Sequence, residues 1–382
     1  MRREIKFCDL TLINAPYHNA FMQSSRNILD SGRFIGGKEV EDFEQMLSEM
    51  TGTQRAIGVG NGYDALKLIF KAFIINGYLK KGDKVLVPAN TYIASVNAVV
   101  NAGLTPVPVD VDPARMVISA DTILQKLDKD IKAIMPVHLY GRIAWDQAIK
   151  DICRRNNLIV VEDNAQAIGA VSSITGIKSD SKMSGALGHA AAFSFYPTKN
   201  IGALGDGGAV TTDMKDIAAT VKELGCYGEN SRFHNVIVGE NSRLDSLQAS
   251  FLRCKLPDVS EINERRRMNA VTLSKKISSS LVVLPPTGST DSSMVWHQYV
   301  VRIKYGKRDA VREILKQEGI ETDIHYPALP FLQPCFGDAY KEPLKGMNAL
   351  FLPDEILSLP VNQTLDEDDM NYIAETINSI NL

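Results

Sequence analysis

Cysteine is scarce in this sequence: five residues in 382, at positions 8, 153, 226, 254 and 335. They are odd in number, far apart, and show neither a CxxC pair nor a metal-ligand spacing. That excludes a disulfide framework and a zinc site, and leaves reduced, mostly buried thiols. An excess of one charge is also missing. The 42 Lys and Arg against 45 Asp and Glu give a formal net charge of −3, which points to neither nucleic acid nor an anionic membrane as partner. No apolar run reaches the roughly 18 residues of a membrane span. The N-terminal stretch MRREIKFCDL carries charge but no apolar core of a signal peptide. These absences lead us to expect a cytoplasmic protein. Internal repeats and low-complexity linkers are absent as well.

What the chain does have is an ordinary globular composition, 45% hydrophobic, and enough length for a large domain plus a smaller one. Between residues 55 and 225, short β-rich apolar runs alternate with helical patterns. RAIGVG, KVLVP, TPVPVDV, IKAIMPVH, LIVVED, HAAAFSFYP and GGAVTTD read as strands. GYDALKLIFKAFIING, TYIASVNAVVNAG, WDQAIKDICRRNN and KDIAATVKELG read as helices. Repeated βαβ units of this kind predict an α/β fold with a mostly parallel central sheet and helices on both faces. From about Leu244 to Ser280 a long polar helical period suggests one connecting helix. The remainder, with ETDIHYP as a strand and DEDDMNYIAETINSI as a final helix, reads as a smaller α+β domain. The expected division is an N-terminal arm with little structure of its own (1–20), a large domain (21–255) and a small C-terminal domain (256–382).

Three segments can carry chemistry. In Gly58-Val59-Gly60-Asn61-Gly62 a glycine-rich turn follows a strand and opens a helix, where free backbone N–H groups make a phosphate site. A plain tight turn or a nicotinamide-binding fold would also use such a turn. The dinucleotide fingerprint GxGxxG is not met, however, because the third glycine comes one residue early. In LIVVEDNAQAIGA, Asp163 stands at the carboxyl end of an apolar strand, where open α/β sheets bind their ligands. A desolvated carboxylate there favours a cation such as a protonated pyridine nitrogen, although a helix N-cap is an equally ordinary use. Gln166 can reach the same place. In FSFYPTKNIGALGDGGAV, Lys199 lies at a strand-end turn in an apolar setting with few other charges. Desolvation lowers a lysine's pKa and frees its amine as nucleophile and base. Ser194 on the same strand can donate to a phosphate, and the glycines from Gly202 to Gly208 allow a sharp turn beside a bound ring. One ligand offers a phosphate, a ring nitrogen wanting a carboxylate and a carbonyl wanting an amine: pyridoxal phosphate. Tyr92 can stack on its ring or pack in an interface.

At these residues the chain resembles the DegT/DnrJ/EryC1/StrS sugar aminotransferases, of the fold-type I pyridoxal-phosphate enzymes. The resemblance runs through GVGNGYDAL, VLVPANTYIAS, PVHLYG, VVEDNAQAIGA, AAFSFYPTKNIGALGDGGAV, GENSRLDSLQA, HYPAL and LSLPVN, in the family's order and over nearly the whole chain. It implies that Lys199 carries the cofactor and that Asp163 pairs with the pyridine nitrogen. Gln166 would bond the ring hydroxyl, Tyr92 would stack, and Ser194 with the backbone of Gly62 and Tyr63 would hold the phosphate. Asn241 would reach the phosphate from the neighbouring subunit of a homodimer. Many members have Ser or Thr where Tyr63 stands. A tyrosine is too long to copy that contact, so a backbone contact is expected there. No metal is implied. His325 and Tyr326 would line the sugar entrance, or simply end a strand of the small domain. The branch most similar aminates C3 of dTDP-linked 3-keto-6-deoxyhexoses with L-glutamate as donor, for deoxyamino-sugar biosynthesis. A C4 aminotransferase of a nucleotide-4-keto-sugar and an amino-acid aminotransferase are the alternatives.

Overall fold

The computed structural model describes residues 3–173, 181–287 and 294–382. In chain order the strands are β1 (Arg55–Val59), β2 (Lys84–Pro88), β3 (Thr105–Val109), β4 (Ile131–Ile134), β5 (Ile159–Asp163), β6 (Val171–Ser173), β7 (Ser181–Met183), β8 (Ala190–Ser194), β9 (Gly208–Thr212), β10 (Glu229–Ser231), β11 (His234–Asn235), β12 (Val282–Val283), β13 (Tyr299–Ile303) and β14 (Ile356–Leu359). Seven of them form one sheet in the order β1-β9-β8-β5-β4-β2-β3. The β3, β2, β4, β5 and β8 neighbours run parallel. β9 alone is antiparallel to both its neighbours, β1 and β8. The carboxyl ends of β1, β2, β5 and β8 therefore all emerge at one edge, and β9 starts from that edge.

The sequence explains why this sheet is covered on both faces. β2 and β5 are near-continuous apolar runs, the pattern of strands buried on both sides rather than on one. Helices Gly62–Ile75, Ile93–Asn101, Gln147–Arg155 and Lys215–Gly225 supply the cover, and Leu66, Ile69, Phe70 and Phe73 of the first are fully enclosed. Its start is set by Asn61, whose side chain accepts from the Asp64 N–H at 2.8 Å.

Three expectations are corrected. The span from Leu244 to Ser280 holds two helices, Ser246–Lys255 and Val259–Lys276, separated by a 3₁₀ turn at Leu256–Asp258. Pro257 has no N–H to continue the ladder, so the chain turns there. ETDIHYP is not a strand; it contributes only a bridge between Asp323 and Ser358. The first 20 residues are not featureless. Helices Leu10–Asn14 and His18–Ser31 flank a 3₁₀ turn. Ile5, 1% exposed, pairs with Ile320, its N–H donating to the Gly319 carbonyl at 2.8 Å. A buried isoleucine ties this segment to the C-terminal part of the chain.

The C-terminal part builds a three-stranded antiparallel sheet, β12-β13-β14, against helix Arg308–Gln317, with helix Glu367–Ser379 packed on that helix and on Val259–Lys276. It is tied to the large sheet by Asp110, whose buried carboxylate accepts from the N–H groups of Asn348 and Ala349 and from the Asn348 amide. All five cysteines are free. Cys153 alone is buried and Cys335 is exposed, so these thiols are less enclosed than expected. No helix among the described residues is long and apolar enough to cross a membrane.

Candidate active site

At the edge where the strand ends converge lies a cavity of about 480 Å³. Gly62, Tyr63, Tyr92, Asp163, Gln166, Ser194, Lys199, His325 and Tyr326 line it. Residues up to 264 positions apart in sequence (Gly62 to Tyr326) thus meet in one place.

Asp163 ends β5 and is 6% exposed. Its Oδ2 accepts from Ser95 Oγ at 2.7 Å and its Oδ1 from the Ala165 N–H at 3.2 Å. The second bond is the turn-capping use allowed by sequence, but the first aims the group inward. Burial pushes its carboxyl above the ordinary carboxylate range, while Ser95, the Ala165 amide and the charge of Lys199 pull it back. Such a group is stabilised in its charged form by any cation brought against it.

Lys199 is carried by the turn after β8, its N–H donating to the Tyr196 carbonyl at 2.9 Å. Among the described residues its ammonium has neither a hydrogen bond nor a salt bridge. Burial lowers it from 10.5 to about 8, against the attraction of Asp163. The glycines that follow serve close approach rather than left-handed backbone: a Cβ on Gly202 would sit 2.2 Å from the Pro197 carbonyl oxygen.

The phosphate-sized end of the cavity is built by helix Gly62–Ile75 against the last residue of β8. A Cβ on Gly62 would come within 2.6 Å of Ser194 Cβ, so only glycine lets the two elements meet. The Gly62 and Tyr63 N–H groups, first in their helix, have no intrahelical acceptor. Together with Ser194 Oγ they form an anion cradle. The Tyr63 hydroxyl is taken up by Asn101 Nδ2 at 2.7 Å.

Further polar groups come from Gln166 and, in the C-terminal part, from His325 and Tyr326. Gln166 Oε1 accepts from the Tyr140 N–H at 2.6 Å, and its Nε2 donates to the Tyr326 hydroxyl at 3.1 Å. The Tyr326 ring lies 5.1 Å from that of Tyr92. Burial raises the Tyr326 phenol well above its usual pKa. His325 is held by Ser358 Oγ at 2.8 Å and stacks on Phe7 at 5.7 Å. Burial lowers it to about 4. HYP is thus a cavity wall and not the end of a strand. Asn241 does not join this cavity; it is exposed and bridges to Cys226.

Sequence reading missed several contributors. Ser95 holds Asp163 and is itself bonded to Thr91 at 2.8 Å; a lone serine in the apolar helix IASVNAVVN was its only signal. His138, in PVHLYG, accepts from the Ala144 N–H at Nδ1, so Nε2–H donates to Glu162 at 3.0 Å. Glu162 also accepts three backbone N–H groups, from Gly185, Leu187 and Gly188. This fixes the strand end beside Asp163. Tyr140, at φ 61°, turns its hydroxyl to the His325 carbonyl. His297 and Gln298 line the cavity too.

These residues fit pyridoxal phosphate: a cradle for the phosphate, a buried carboxylate seeking a cation, and, in the same cavity, an amine without a partner among the described residues. Comparison with known proteins agrees. The chain is 40% identical, over 98% of its length and 99% of the relative's, to the dTDP-3-amino-3,6-dideoxy-alpha-D-galactopyranose transaminase of Aneurinibacillus thermoaerophilus. It is 37% identical to the dTDP-3-amino-3,4,6-trideoxy-alpha-D-glucose transaminase of Streptomyces venezuelae, over 92% of this chain and 89% of that one. The crystal structure of S. venezuelae DesV superposes with a TM-score of 0.90 at 34% identity, covering 98% of both chains. The NtdA structure from Bacillus subtilis, solved with bound cofactor PMP, matches with a TM-score of 0.85 at 27% identity, covering 98% of this chain and 84% of that one. With the family model for DegT/DnrJ/EryC1/StrS aminotransferases matching residues 17–378, the chain belongs to that family of pyridoxal-phosphate-dependent sugar aminotransferases.

Proposed function

We propose that this enzyme transfers an amino group from L-glutamate to C3 of a dTDP-linked 3-keto-6-deoxyhexose, making a deoxyamino sugar. The observation that carries the reading is the Lys199 amine, depressed to about 8 and facing the buried Asp163 across the cavity. The choice of C3 and of dTDP is supported by the two transaminases named above, both of whose names specify a dTDP-linked 3-amino sugar.

Bound pyridoxal phosphate supplies the electron sink that transamination needs. Lys199 would hold its aldehyde carbon, and Asp163 would keep a proton on its ring nitrogen. Gly62, Tyr63 and Ser194 would hold its phosphate, Tyr92 would cover its face, and Gln166 would reach its hydroxyl. At about 8, roughly a tenth of the Lys199 amine is unprotonated at pH 7, against about three in ten thousand for an ordinary lysine. That fraction lets Lys199 Nζ act as the base that takes a proton from the amino donor's Cα and then as the acid that returns it. His325 and Tyr326 stand where the sugar diphosphate would enter. Asn241, exposed and outside its own protomer's cavity, would complete the phosphate cradle of the partner in a homodimer. The free cysteines suit a reducing cytoplasm.

The test is a coupled assay in which the holoenzyme and L-glutamate are offered several nucleotide-linked 3-keto- and 4-keto-6-deoxyhexoses, with products read by mass and by proton NMR. Amination at C3 of a dTDP sugar is expected. Amination only at C4, or of no sugar while keto acids react, would replace this reading by one of the alternatives.

A further inference from the structure

A second, smaller cavity of about 140 Å³ lies beside the first and shares Thr198, His297, Gln298 and His325 with it. Its far wall carries Arg266, from helix Val259–Lys276, 3% exposed. The Arg266 Nε donates to Gln363 Oε1 at 3.1 Å, and one Nη donates to the carbonyls of Trp296 and His297 at 3.4 and 3.2 Å. The second Nη is left over, and among the described residues no carboxylate pairs with this guanidinium. A buried charge without a counter-charge is costly and calls for an anion. Asp323 is the cavity's one carboxylate among the described lining residues; it is turned toward His325 Nε2, at 3.5 Å, and is about half exposed.

The same cavity holds an acceptor without a donor. Asn200 Nδ2 donates to Asn263 Oδ1 at 2.8 Å and to the Val295 carbonyl at 3.0 Å, so its Oδ1 is an acceptor. His297 Nδ1, 3.0 Å from that oxygen, must then carry the hydrogen. That leaves His297 Nε2 as a bare lone pair, with no partner among the described residues. Burial keeps the ring unprotonated. A cation wanting an anion and an acceptor wanting an N–H donor, within one small cavity, are the polar complement of a zwitterion.

We infer that this cavity docks the amino donor as an α-amino acid zwitterion, Arg266 taking its carboxylate and His297 Nε2 taking its ammonium. The inference rests on the transamination reading and deepens it. His297 lines both cavities, so the donor's nitrogen is held next to the wider cavity that Lys199 lines. Arg266 lines the small cavity and not the wider one, so its mutation separates donor affinity from sugar affinity.

The experiment follows the two half-reactions of the holoenzyme separately by stopped-flow absorbance in the visible band: L-glutamate alone, then keto-sugar added to the aminated form. Arg266→Lys is compared with wild type. Loss of a charge-assisted hydrogen bond lowers the second-order constant of the donor half roughly ten- to a hundredfold, with the sugar half within about twofold. Glutarate, which has the carboxylates and no amine, serves as the non-reacting probe: it raises the melting temperature of wild-type holoenzyme and not that of Arg266→Lys. An unimpaired donor half in Arg266→Lys, an equal fall in both halves, or an equal glutarate shift in wild type and Arg266→Lys overturns the site. Should Arg266→Lys fail to fold, wild-type holoenzyme decides: no rise in its melting temperature with glutarate overturns the site. No spectral change of wild type with any amino acid would overturn the transamination reading itself, a result distinct from the loss of this site alone.

Discussion

Replacing Lys199 by methionine should abolish turnover and, in the cofactor-free protein, raise stability. The chain holds this amine at about 8 although an unfolded lysine titrates at 10.5. At about 1.4 kcal/mol for each tenfold change, that difference disfavours the charged folded form by about 3 kcal/mol. The side chain is only partly closed off from water, and Asp163 loses a favourable neighbour when it is replaced, so about 2 kcal/mol is the expected gain. The sign with pH is fixed. A lysine with a depressed pKa is charged in both states below about 8, where the folded state bears the whole cost. The cost shrinks between 8 and 10.5 and is gone above 10.5. Lys199→Met is near-isosteric, so packing changes little. Urea or thermal unfolding of cofactor-free wild type and variant at pH 7, 9 and 10.5 measures this, with a melting-temperature gain at pH 7 of about 2–3 °C. A variant less stable than wild type at pH 7, or a difference independent of pH, would refute the claim that the site holds a desolvated amine. Loss of activity with gain of stability in one substitution is the mark of a group placed for chemistry.

Three further perturbations test other parts of the site. Ser95→Ala removes the 2.7 Å bond to the buried Asp163 carboxylate; at about 1.5–3 kcal/mol this weakens cofactor affinity roughly ten- to a hundredfold, read by titrating the visible band. Gly62→Ala places a Cβ 2.6 Å from Ser194 Cβ; the cradle opens, cofactor binding falls, and overpacking destabilises the protein by about 1–3 kcal/mol in denaturant unfolding. Asp110→Ala strands the Asn348 and Ala349 N–H groups that it accepts. The cost is about 2–4 kcal/mol of stability, with the visible spectrum of the holoenzyme unchanged.

The α/β sheet was legible because its strands are apolar over their whole length and are separated by amphipathic helices, a period that sequence displays directly. Asp163 and Lys199 were legible for a related reason: one ends such a strand and the other lies in the turn that follows one, where the fold must place them at the ligand edge. The boundaries misread were those where one residue overrules a period. Pro257 divides what looked like a single helix, and Ile5 docks a segment that looked featureless. Ser95, the His138–Glu162 pair, and the meeting of Arg266, His297 and Gln298 came only from tertiary structure. Their chemistry depends on pairing across long sequence separations and on burial. Local sequence can place a polar side chain on a strand or helix, but only packing decides which distant group it faces and whether water is excluded between them.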